Sequence, residues 1–479
     1  MNVIAIDFIS SIIKLKANIM PNFKSPGVYI NKIPFSVTSV KTAIPAFIGY
    51  THKAKNNKAG DLTNKPRRIE SIREYEKYFG GPQPETGIAI TISTSRPGAA
   101  VRGKLSEPSN YLMYHSLEMF FNNGGGACYI VSVGDYSNGG IINHAELQSG
   151  LNEIAKIDEI TLILFPDSLN ISNATNYYSL HKEALLQAAE LRDRFVVMDV
   201  WTAPDESVDS IQVLRDFDFG TVNTSKYGAV YYPAIVTPLN YTYDEGDVEI
   251  IGTEDKLLHG SLKALKAKNY DYYLSARKAI ENIEKIMPAS PAIAGKYAES
   301  DNTRGVWKAP ANIDLDYVSR PVRVITDRQQ ETLTVDNRSG KSINTIRSFP
   351  GRGPAVIWGA RTLAGNDPQW KYIQVVRFFM MVEASVKNGI NPFIDKPNDK
   401  NTWTSIKSMI ENYLQLQLKA GALAGTSPKK AYFVKIGLGE TMTKEDVSED
   451  RLIIEIGMAV IRPSEFIILR LMQQMQQTA

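Results

Sequence analysis

Few side chains in this sequence have the types and spacing that chemistry requires. The five histidines are scattered and form no HExxH or HxxxH pair of metal-ligand spacing: His52, His115, His144, His181 and His259. The GxSxG pattern of α/β hydrolases does not occur. The single cysteine, Cys128, excludes an intrachain disulfide, and we interpret it as a small buried residue rather than a nucleophile. The sequence therefore predicts no catalytic, metal-binding or cofactor-binding residues.

Two polar stretches resemble ligand loops without meeting their requirements. The glycine-rich run NNGGGACY (122–129) stands between a predicted helix and a predicted strand. A phosphate-binding loop needs the reverse order, with the helix after the glycines, so a tight turn is the better interpretation. The acidic run 439–451 lacks the alternating ligands and central glycine of an EF-hand and is interpreted as a solvated hairpin connection.

The centre of the chain alternates between helical and strand periodicity. From residue 151 to 238, the apolar runs TLILFP, FVVMDV and YGAVYYPAI are separated by helical segments. Continuous apolar strands between helices predict a parallel or mixed sheet covered on both faces. Many nucleotide-binding enzymes share that architecture, so an α/β enzyme is kept as an alternative.

Other segments carry weaker signals. A buried strand is predicted over 43–50, and a helix over 71–79 that ends at Gly80. Residues 91–109 are predicted to form a loop and residues 240–270 a surface excursion. Short antiparallel strands are predicted at VRVIT and TLTV within 313–348.

The charge balance points to no nucleic acid or membrane partner. The formal net charge is +3, and no stretch is long and apolar enough to span a bilayer. Residues 1–60 hold eight lysines and one acid, which favours a solvated arm or an arm that meets an acidic protein surface. Residues 1–19 lack the basic start and cleavage site of a signal peptide, so we expect a peripheral extension and folding in the cytoplasm.

The stretch 350–479 is the most informative part of the chain. Nearly every position from residue 372 to residue 386 is apolar, which predicts a helix inside a core. We expect four aromatic side chains in this stretch to be core residues: Trp358, Trp370, Tyr372 and Phe379.

The same stretch carries a family resemblance. The ordered motifs GRGPAVIWGARTL, AYFVKIGLGETMT and IGMAVIRPSEFI resemble the C-terminal domain of contractile tail sheath proteins of phages and of antifeeding-prophage-type injection particles. SPGVYINKIPFSVTSVKTAIPAFIGYT, FFNNGGGACYIVSVG and RGVWKAPAN are similar to earlier blocks of that family. The resemblance covers the chain from about residue 20 onward.

The resemblance implies a fold and a domain division. The expected fold is a mixed α/β (α+β) multi-domain subunit, with α/β sandwich domains and extended N- and C-terminal strand arms. The expected division is an extension (1–19), an arm with first strands that packs with the C-terminal domain (20–60), a central α/β region (61–349) and a C-terminal sheath domain (350–479).

The resemblance also implies a function. The chain would be a non-enzymatic subunit, without cofactors, of a sheath that polymerises helically around an inner tube and contracts to drive that tube through a cell envelope. Expected partners are other copies in six-subunit rings, the tube, baseplate and cap proteins, and paralogous sheath proteins, in a particle that can be released from the cell. The alternative within such a machine is a tube or baseplate component.

Both chain ends contain candidate joining strands. VYINKI lies between Pro26 and Pro34, so neither of its ends can continue as a helix, and apolar strand-formers recur near the C-terminus. We predict that these strands pair with neighbouring subunits. The predicted intersubunit residues are Gly27, Val28, Tyr29, Ile30, Leu452, Ile453, Ile454, Ile456, Val460 and Ile461.

Overall fold

The computed structural model describes residues 36–94, 100–203 and 208–463. The strands are β1 Pro45–Tyr50, β2 Arg67–Ile69, β3 Ile88–Ser93, β4 Ala100–Leu105, β5 Cys128–Gly134, β6 Leu162–Leu164, β7 Phe195–Asp199, β8 Gly228–Tyr232, β9 Ile235–Thr237, β10 Glu249–Gly252, β11 Gly260–Ser261, β12 Lys285–Met287, β13 Ile313–Asp314, β14 Arg320–Pro321, β15 Asn344–Arg347, β16 Val356–Trp358, β17 Tyr432–Lys435 and β18 Glu455–Met458. The helices are α1 Ile72–Phe79, α2 Met113–Asn122, α3 His144–Ile154, α4 Ala174–Leu191, α5 Ser210–Asp216, α6 Val222–Ser225, α7 Leu262–Lys268, α8 Tyr270–Glu281, α9 Ser290–Arg304, α10 Asp327–Thr334, α11 Ile373–Ile390, α12 Lys400–Lys419, α13 Pro428–Ala431 and α14 Lys444–Ser448.

The largest sheet has nine strands in the order β13-β16-β15-β8-β7-β6-β1-β5-β2. Its central strands, from β15 to β5, run parallel, and the pairs at both edges are antiparallel. Strands β6 and β7 are buried along their whole length, and helices α4 and α9 pack against β7. The alternation predicted between residues 151 and 238 is confirmed as one α/β layer of a mixed fold.

Local signals set the ends of α1 as predicted. The Ser71 hydroxyl accepts a hydrogen bond from the backbone N–H of Glu74, which caps the first turn. Gly80 follows the helix with φ of +82°, and a Cβ there would meet the His52 ring at 2.6 Å. A side chain at Gly80 is therefore excluded by both conformation and space.

A second sheet overturns two expectations from the sequence. Strands β3 and β4 lie largely where a loop was predicted over 91–109, and β10 and β11 lie within the predicted surface excursion 240–270. They form one sheet in the order β11-β10-β3-β4, covering a separate apolar cluster with α7 and α8. Strand β3 does carry a local signal, because buried Ile88, Ile90 and Ile92 alternate with partly buried residues, and the predicted loop wrongly cut into it. Strand β4 has no buried residue, so its sequence shows no apolar face.

Three strand predictions were also wrong in detail. VRVIT, which follows β14, contains no strand. YGAVYYPAI is divided into β8 and β9, which belong to different sheets, because Pro233 between them has no N–H to continue a ladder. TLTV lies at the end of helix α10 instead of in a strand. A reciprocal capping box between Thr326 and Gln329 begins that helix and outweighs the β-branched residues.

The C-terminal helices enclose their own apolar cluster. Helix α11 confirms the predicted helix, and α12 packs near it around buried side chains that include Phe378, Ile410 and Leu414. Among the residues that the structure describes, no helix is long and apolar enough to cross a bilayer.

The core expectation holds for one of the four aromatic residues. Tyr372 is buried, whereas Trp358, Trp370 and Phe379 are only partly buried. Phe379 contacts the edge of Trp370, with ring centroids 5.1 Å apart, and lies one helical turn before exposed Glu383. The spacing of four places Phe379 on the outward stripe of α11, so the core expectation is corrected there.

The domain boundaries stay a prediction. Strand β16 follows residue 350 in the sequence yet lies in the large sheet, while the first described residues, from Val37, join the C-terminal cluster. The apolar clusters therefore draw on segments from both sides of the predicted boundary at residue 350.

Candidate assembly site

The crevice at the carboxyl ends of the parallel strands is the usual ligand site of such a sheet. Here two buried aspartates use it for structure. Asp167 accepts hydrogen bonds from the backbone N–H groups of Tyr50 (2.7 Å), Leu112 (2.6 Å) and Met113 (3.1 Å). Asp199 accepts from those of Ala289 (2.9 Å) and Ser290 (3.1 Å). Their carboxylates therefore fasten the starts of α2 and α9 to the sheet.

Burial changes the acidity of both carboxyl groups. It raises the pKa of Asp167 to about 7 and that of Asp199 to about 6, although backbone donors act in the opposite direction. Within the three described ranges, no group of three or more His, Cys, Asp or Glu side chains could hold a metal ion. The titratable groups of the crevice are thus already engaged by the protein's own backbone.

The glycine-rich stretch forms a turn between α2 and β5. Gly124 has φ of +88°, and Gly125 packs so closely on the Phe120 ring that a Cβ would lie 2.6 Å from it. Cys128 begins β5 as a fully buried residue, and burial raises the pKa of its thiol. A tight turn leading to a buried cysteine agrees with the interpretation of the sequence.

A buried cluster of titratable side chains joins α2 to β12. The Lys285 ammonium lies 2.6 Å from Nε2 of His115, whose Nδ1 lies 2.7 Å from the Glu118 carboxylate. An ammonium can only donate, so Nε2 accepts, Nδ1–H donates to Glu118, and the imidazole is neutral. Burial lowers the pKa of His115 below its ordinary value and lowers that of Lys285 to about 8. Glu85, also buried, is the second carboxylate near Lys285.

This cluster predicts a pH dependence of stability. The unfolded chain protonates His115 near its ordinary pKa, whereas the folded chain resists protonation beside Lys285, so the unfolded state binds more protons. We expect the contribution of His115 to the free energy of unfolding to fall from about pH 7 to about pH 5, by up to about 1.4 kcal/mol per pH unit. Asp167 and Asp199, whose pKa values are raised in the folded chain, contribute with the opposite sign over the same range. Thermal unfolding of wild type and His115→Gln across that range measures it.

The variant should unfold at a lower temperature at neutral pH, but its free energy of unfolding relative to wild type should increase as the pH falls to 5, because the unfavourable contribution of His115 is gone. His52→Gln, at an exposed position, should keep the wild-type slope and serves as the matched control. Equal slopes for wild type and His115→Gln would contradict the assignment of a neutral imidazole.

The C-terminal strand candidates lie on a two-stranded ribbon. Strands β17 and β18 pair antiparallel, with Val434 opposite Ile456 on the side facing the C-terminal cluster. On the outer side the partly exposed Phe433 ring lies over Gly457, and Lys435 is 3.4 Å from Glu455. Among the described strands, β17 and β18 pair only with each other, while Val460, just beyond β18, forms an isolated bridge with Leu423. The outer backbone edges of β17 and β18 themselves therefore have no partner strand among the described residues.

The predicted intersubunit residues near the C-terminus surround this ribbon. Four of them pack partly buried against the C-terminal cluster: Leu452, Ile454, Ile456 and Val460. Ile453 is 41% exposed, and the Ile461 N–H donates to the Ala422 carbonyl at 3.2 Å. Their contact with another subunit stays a prediction.

The N-terminal candidates Gly27, Val28, Tyr29 and Ile30 lie outside the described residues. The described chain begins at Ser36, and Val37 is buried in the same C-terminal cluster that the ribbon covers. Chain segments adjoining both predicted arms therefore pack on one body of the subunit. The family resemblance implied that residues 20–60 pack with the C-terminal domain, but no local pattern in the sequence indicates which residues meet, because the segments lie at opposite ends of the chain.

The comparisons with known proteins bear on the whole chain. Residues 365–474 match the phage tail sheath C-terminal domain family. A Pseudomonas aeruginosa (strain UCBPP-PA14) protein named as a putative prophage major tail sheath protein is 29% identical over 133 residues, or 27% of this chain. The match spans 32% of that relative's length.

The solved structures extend the likeness over nearly the full length. A chain of the antifeeding prophage helical sheath in its contracted state is 28% identical, with a TM-score of 0.62 over 94% of this chain and 100% of that chain. The chain is therefore similar to a contractile sheath subunit over nearly its full length. A PVC sheath complex in the contracted state is 26% identical (TM-score 0.62, 95% and 99% covered). A chain of the antifeeding prophage baseplate is 29% identical (TM-score 0.62, 95% and 100% covered).

The chain also contains a buried ion pair that no motif in the sequence predicted. Arg377, within the apolar helix α11, forms a buried ion pair with Asp301 of α9. A lone arginine in an apolar helix is the one available signal, since a buried charge requires a partner. No local pattern indicates which of the many acids it meets.

Proposed function

We propose that this chain is the structural subunit of a contractile sheath, which polymerises helically around an inner tube and contracts to drive the tube through a target envelope. The likeness of nearly the full chain to a contracted helical sheath supports the proposal most directly. The sheet crevice supports it as well, because the Asp167 and Asp199 carboxylates there accept hydrogen bonds from the backbone at helix starts and so have a structural role. The subunit would work without catalytic turnover.

The proposed partners follow from this role. Other copies would form six-subunit rings, stacked into a helix on a baseplate, around a tube and below a cap protein, with paralogous sheath proteins as further partners. Contacts that repeat head-to-tail without closing give such a helical filament. We place assembly in the cytoplasm, followed by release as part of a phage tail or phage-like particle.

The ribbon of β17 and β18 supplies a mechanism for joining copies. Each strand has an open backbone edge among the described strands, and an extended arm from another copy can add to it by main-chain hydrogen bonds. If about five bonds form per added strand, at roughly 1 kcal/mol net each, one arm contributes several kcal/mol per contact. Such a junction persists while the subunit bodies reorient, and their repacking can release the free energy that drives contraction.

Electron microscopy of the purified chain tests the proposal. In buffer depleted of nucleotide and divalent metal, we expect wide, cog-like tubes, because polymerisation draws on interfaces alone. Narrow smooth tubes would indicate an inner-tube protein, and dispersed globular particles would indicate a different role. Tubes that formed only with ATP present would contradict the proposed non-enzymatic mechanism.

A further inference from the structure

Residues 37–43, which form a segment that we call the connector, lead to β1 without regular secondary structure. Cavities of about 810 Å³ and 720 Å³ adjoin it, and Val40, Lys41 and Thr42 line both. Among the described residues, close packing is therefore incomplete along the connector. A segment with so little packing must be positioned by a few specific contacts.

The strongest of these contacts is a three-residue clamp formed by Thr42, Asp301 and Arg377. The Arg377 guanidinium donates to both Asp301 oxygens, at 3.0 and 2.5 Å, and also to the Thr42 carbonyl at 2.8 Å. The Thr42 hydroxyl donates to the same carboxylate at 2.5 Å. The side chains of Arg377 and Asp301 are only 2% and 6% exposed, so water cannot replace these bonds freely.

The clamp is fixed to the large sheet through two tyrosines. The Arg377 guanidinium lies over the Tyr297 ring, 4.6 Å from its centroid, and the Tyr297 hydroxyl is 2.6 Å from that of Tyr231 in β8. Tyr297 and Tyr231 are both fully buried. The guanidinium plane is thus held by a ring and a carboxylate together, which restricts its orientation.

Other polar contacts hold the connector to the C-terminal helices. The Val40 N–H donates to the Ser385 hydroxyl of α11 at 3.0 Å, and the Ser39 hydroxyl is 3.0 Å from that of Tyr413 in α12. Val37 packs on Gly389, where a Cβ would lie 2.7 Å from its side chain. The connector therefore contacts α9, α11 and α12 through defined atoms.

We propose that the clamp fixes the direction in which the chain before Val37 leaves the subunit, which makes Asp301 and Arg377 positioning residues for the contact with a second copy. This inference rests on the proposed function, in which the N-terminal arm joins copies. A bidentate arginine–carboxylate pair specifies orientation, and its extra bond to the Thr42 carbonyl passes that orientation to the connector. Load on the arm would in turn reach α9 and α11 through the same three residues.

Limited trypsin digestion of the purified chain tests the clamp directly. Lys41 is exposed, but a protease must bind an extended stretch around the 41–42 bond, which the clamp prevents. In Arg377→Gln we expect cleavage after Lys41 to accelerate at least about tenfold, as local opening becomes more frequent. The fragment that begins at Thr42 identifies the site by mass, and cleavage in the exposed 53–58 loop is the internal reference.

Matched variants separate positioning from general stability. Thr42→Val keeps the shape and the Arg377–Asp301 pair, so it should accelerate cleavage after Lys41 with the melting temperature nearly unchanged. Arg377→Lys keeps the positive charge but cannot form the bidentate hydrogen bonds of a guanidinium. It should therefore protect Lys41 better than Arg377→Gln does, but less well than wild type. Arg347→Gln removes an arginine paired with Asp327, whose side chain is 90% exposed, and should leave cleavage unchanged.

Assembly supplies the second measurement. Variants that are folded by circular dichroism but cleaved at Lys41 should form few or malformed tubes. If Arg377→Gln does not fold, Thr42→Val decides the outcome. Folded variants with wild-type protection of Lys41, or with normal tubes, would overturn the proposal. Failure of the wild-type chain to form tubes would instead count against the proposed function. The rates of cleavage after Lys41 in wild type and variants would then still test whether the clamp positions the connector.

Discussion

Replacing Phe378 by aspartate should abolish soluble folding. The Phe378 side chain is fully buried in the C-terminal cluster, and its ring meets Trp307 edge-on with centroids 6.4 Å apart. A carboxylate there would lie among apolar neighbours without a partner, at a cost of several kcal/mol. Since domains are stable by only about 5–15 kcal/mol, most of the folding free energy would be lost. The soluble fraction and the far-ultraviolet circular dichroism of Phe378→Asp measure the effect.

The neighbouring position provides the control. Phe379 faces outward against Trp370, which the Lys226 ammonium covers at 4.3 Å from the ring centroid. Phe379→Asp should cost only about 1–2 kcal/mol and leave a folded protein, because the position is partly exposed and water can solvate the new charge. If both variants were soluble with similar melting temperatures, helix α11 could not bury Phe378 while turning Phe379 outward.

The contrast between these two residues shows what the sequence could predict. The helix itself was evident, because apolar residues fill almost every position from residue 372 to residue 386. Because almost all positions are apolar, the sequence does not show which face of the helix is buried. The outward stripe of Phe379, Glu383 and Lys387 differs little in hydrophobicity from the buried stripe. Orientation is decided by tertiary contacts with Trp307 and α12, which come from other parts of the chain.

The same reasoning explains which sheets were foreseen. Strands β6 and β7 coincide closely with TLILFP and FVVMDV, because a strand buried on both faces is apolar throughout and local composition reveals it. Strand β3 pairs with β10, which lies far later in the chain, with Ile90 opposite Ile250. The alternating isoleucines of β3 could have been recognised, whereas β10 has only four residues, EIIG, and its place in a sheet is decided by pairing with β3.

The clamp marks a further limit of prediction. Its partners Thr42, Asp301 and Arg377 come from three distant segments, and each is an ordinary polar residue in its local context. No periodicity links them. The family resemblance indicated that the arms join subunits. It carried no information on the contacts that hold the connector in place.

Removing the N-terminal arm should separate folding from assembly. Deletion of residues 1–19 should be tolerated, because they precede the predicted joining strand. Deletion of residues 1–33 removes VYINKI but keeps Val37 and the clamp, so circular dichroism and the melting temperature should remain near wild type. Without the strand, the several kcal/mol from main-chain bonds to a neighbouring ribbon are lost, and we expect no tubes by electron microscopy.

A ribbon-side variant makes this comparison specific for strand pairing. Ile456→Pro within β18 removes an N–H from the ribbon. If the arm adds to β17 or β18, Ile456→Pro should block assembly as completely as the 1–33 deletion, and combining the two should add nothing further. Normal tubes from the 1–33 deletion would refute strand addition while leaving the sheath assignment intact, because the head-to-tail contacts of the subunit bodies would then suffice for polymerisation.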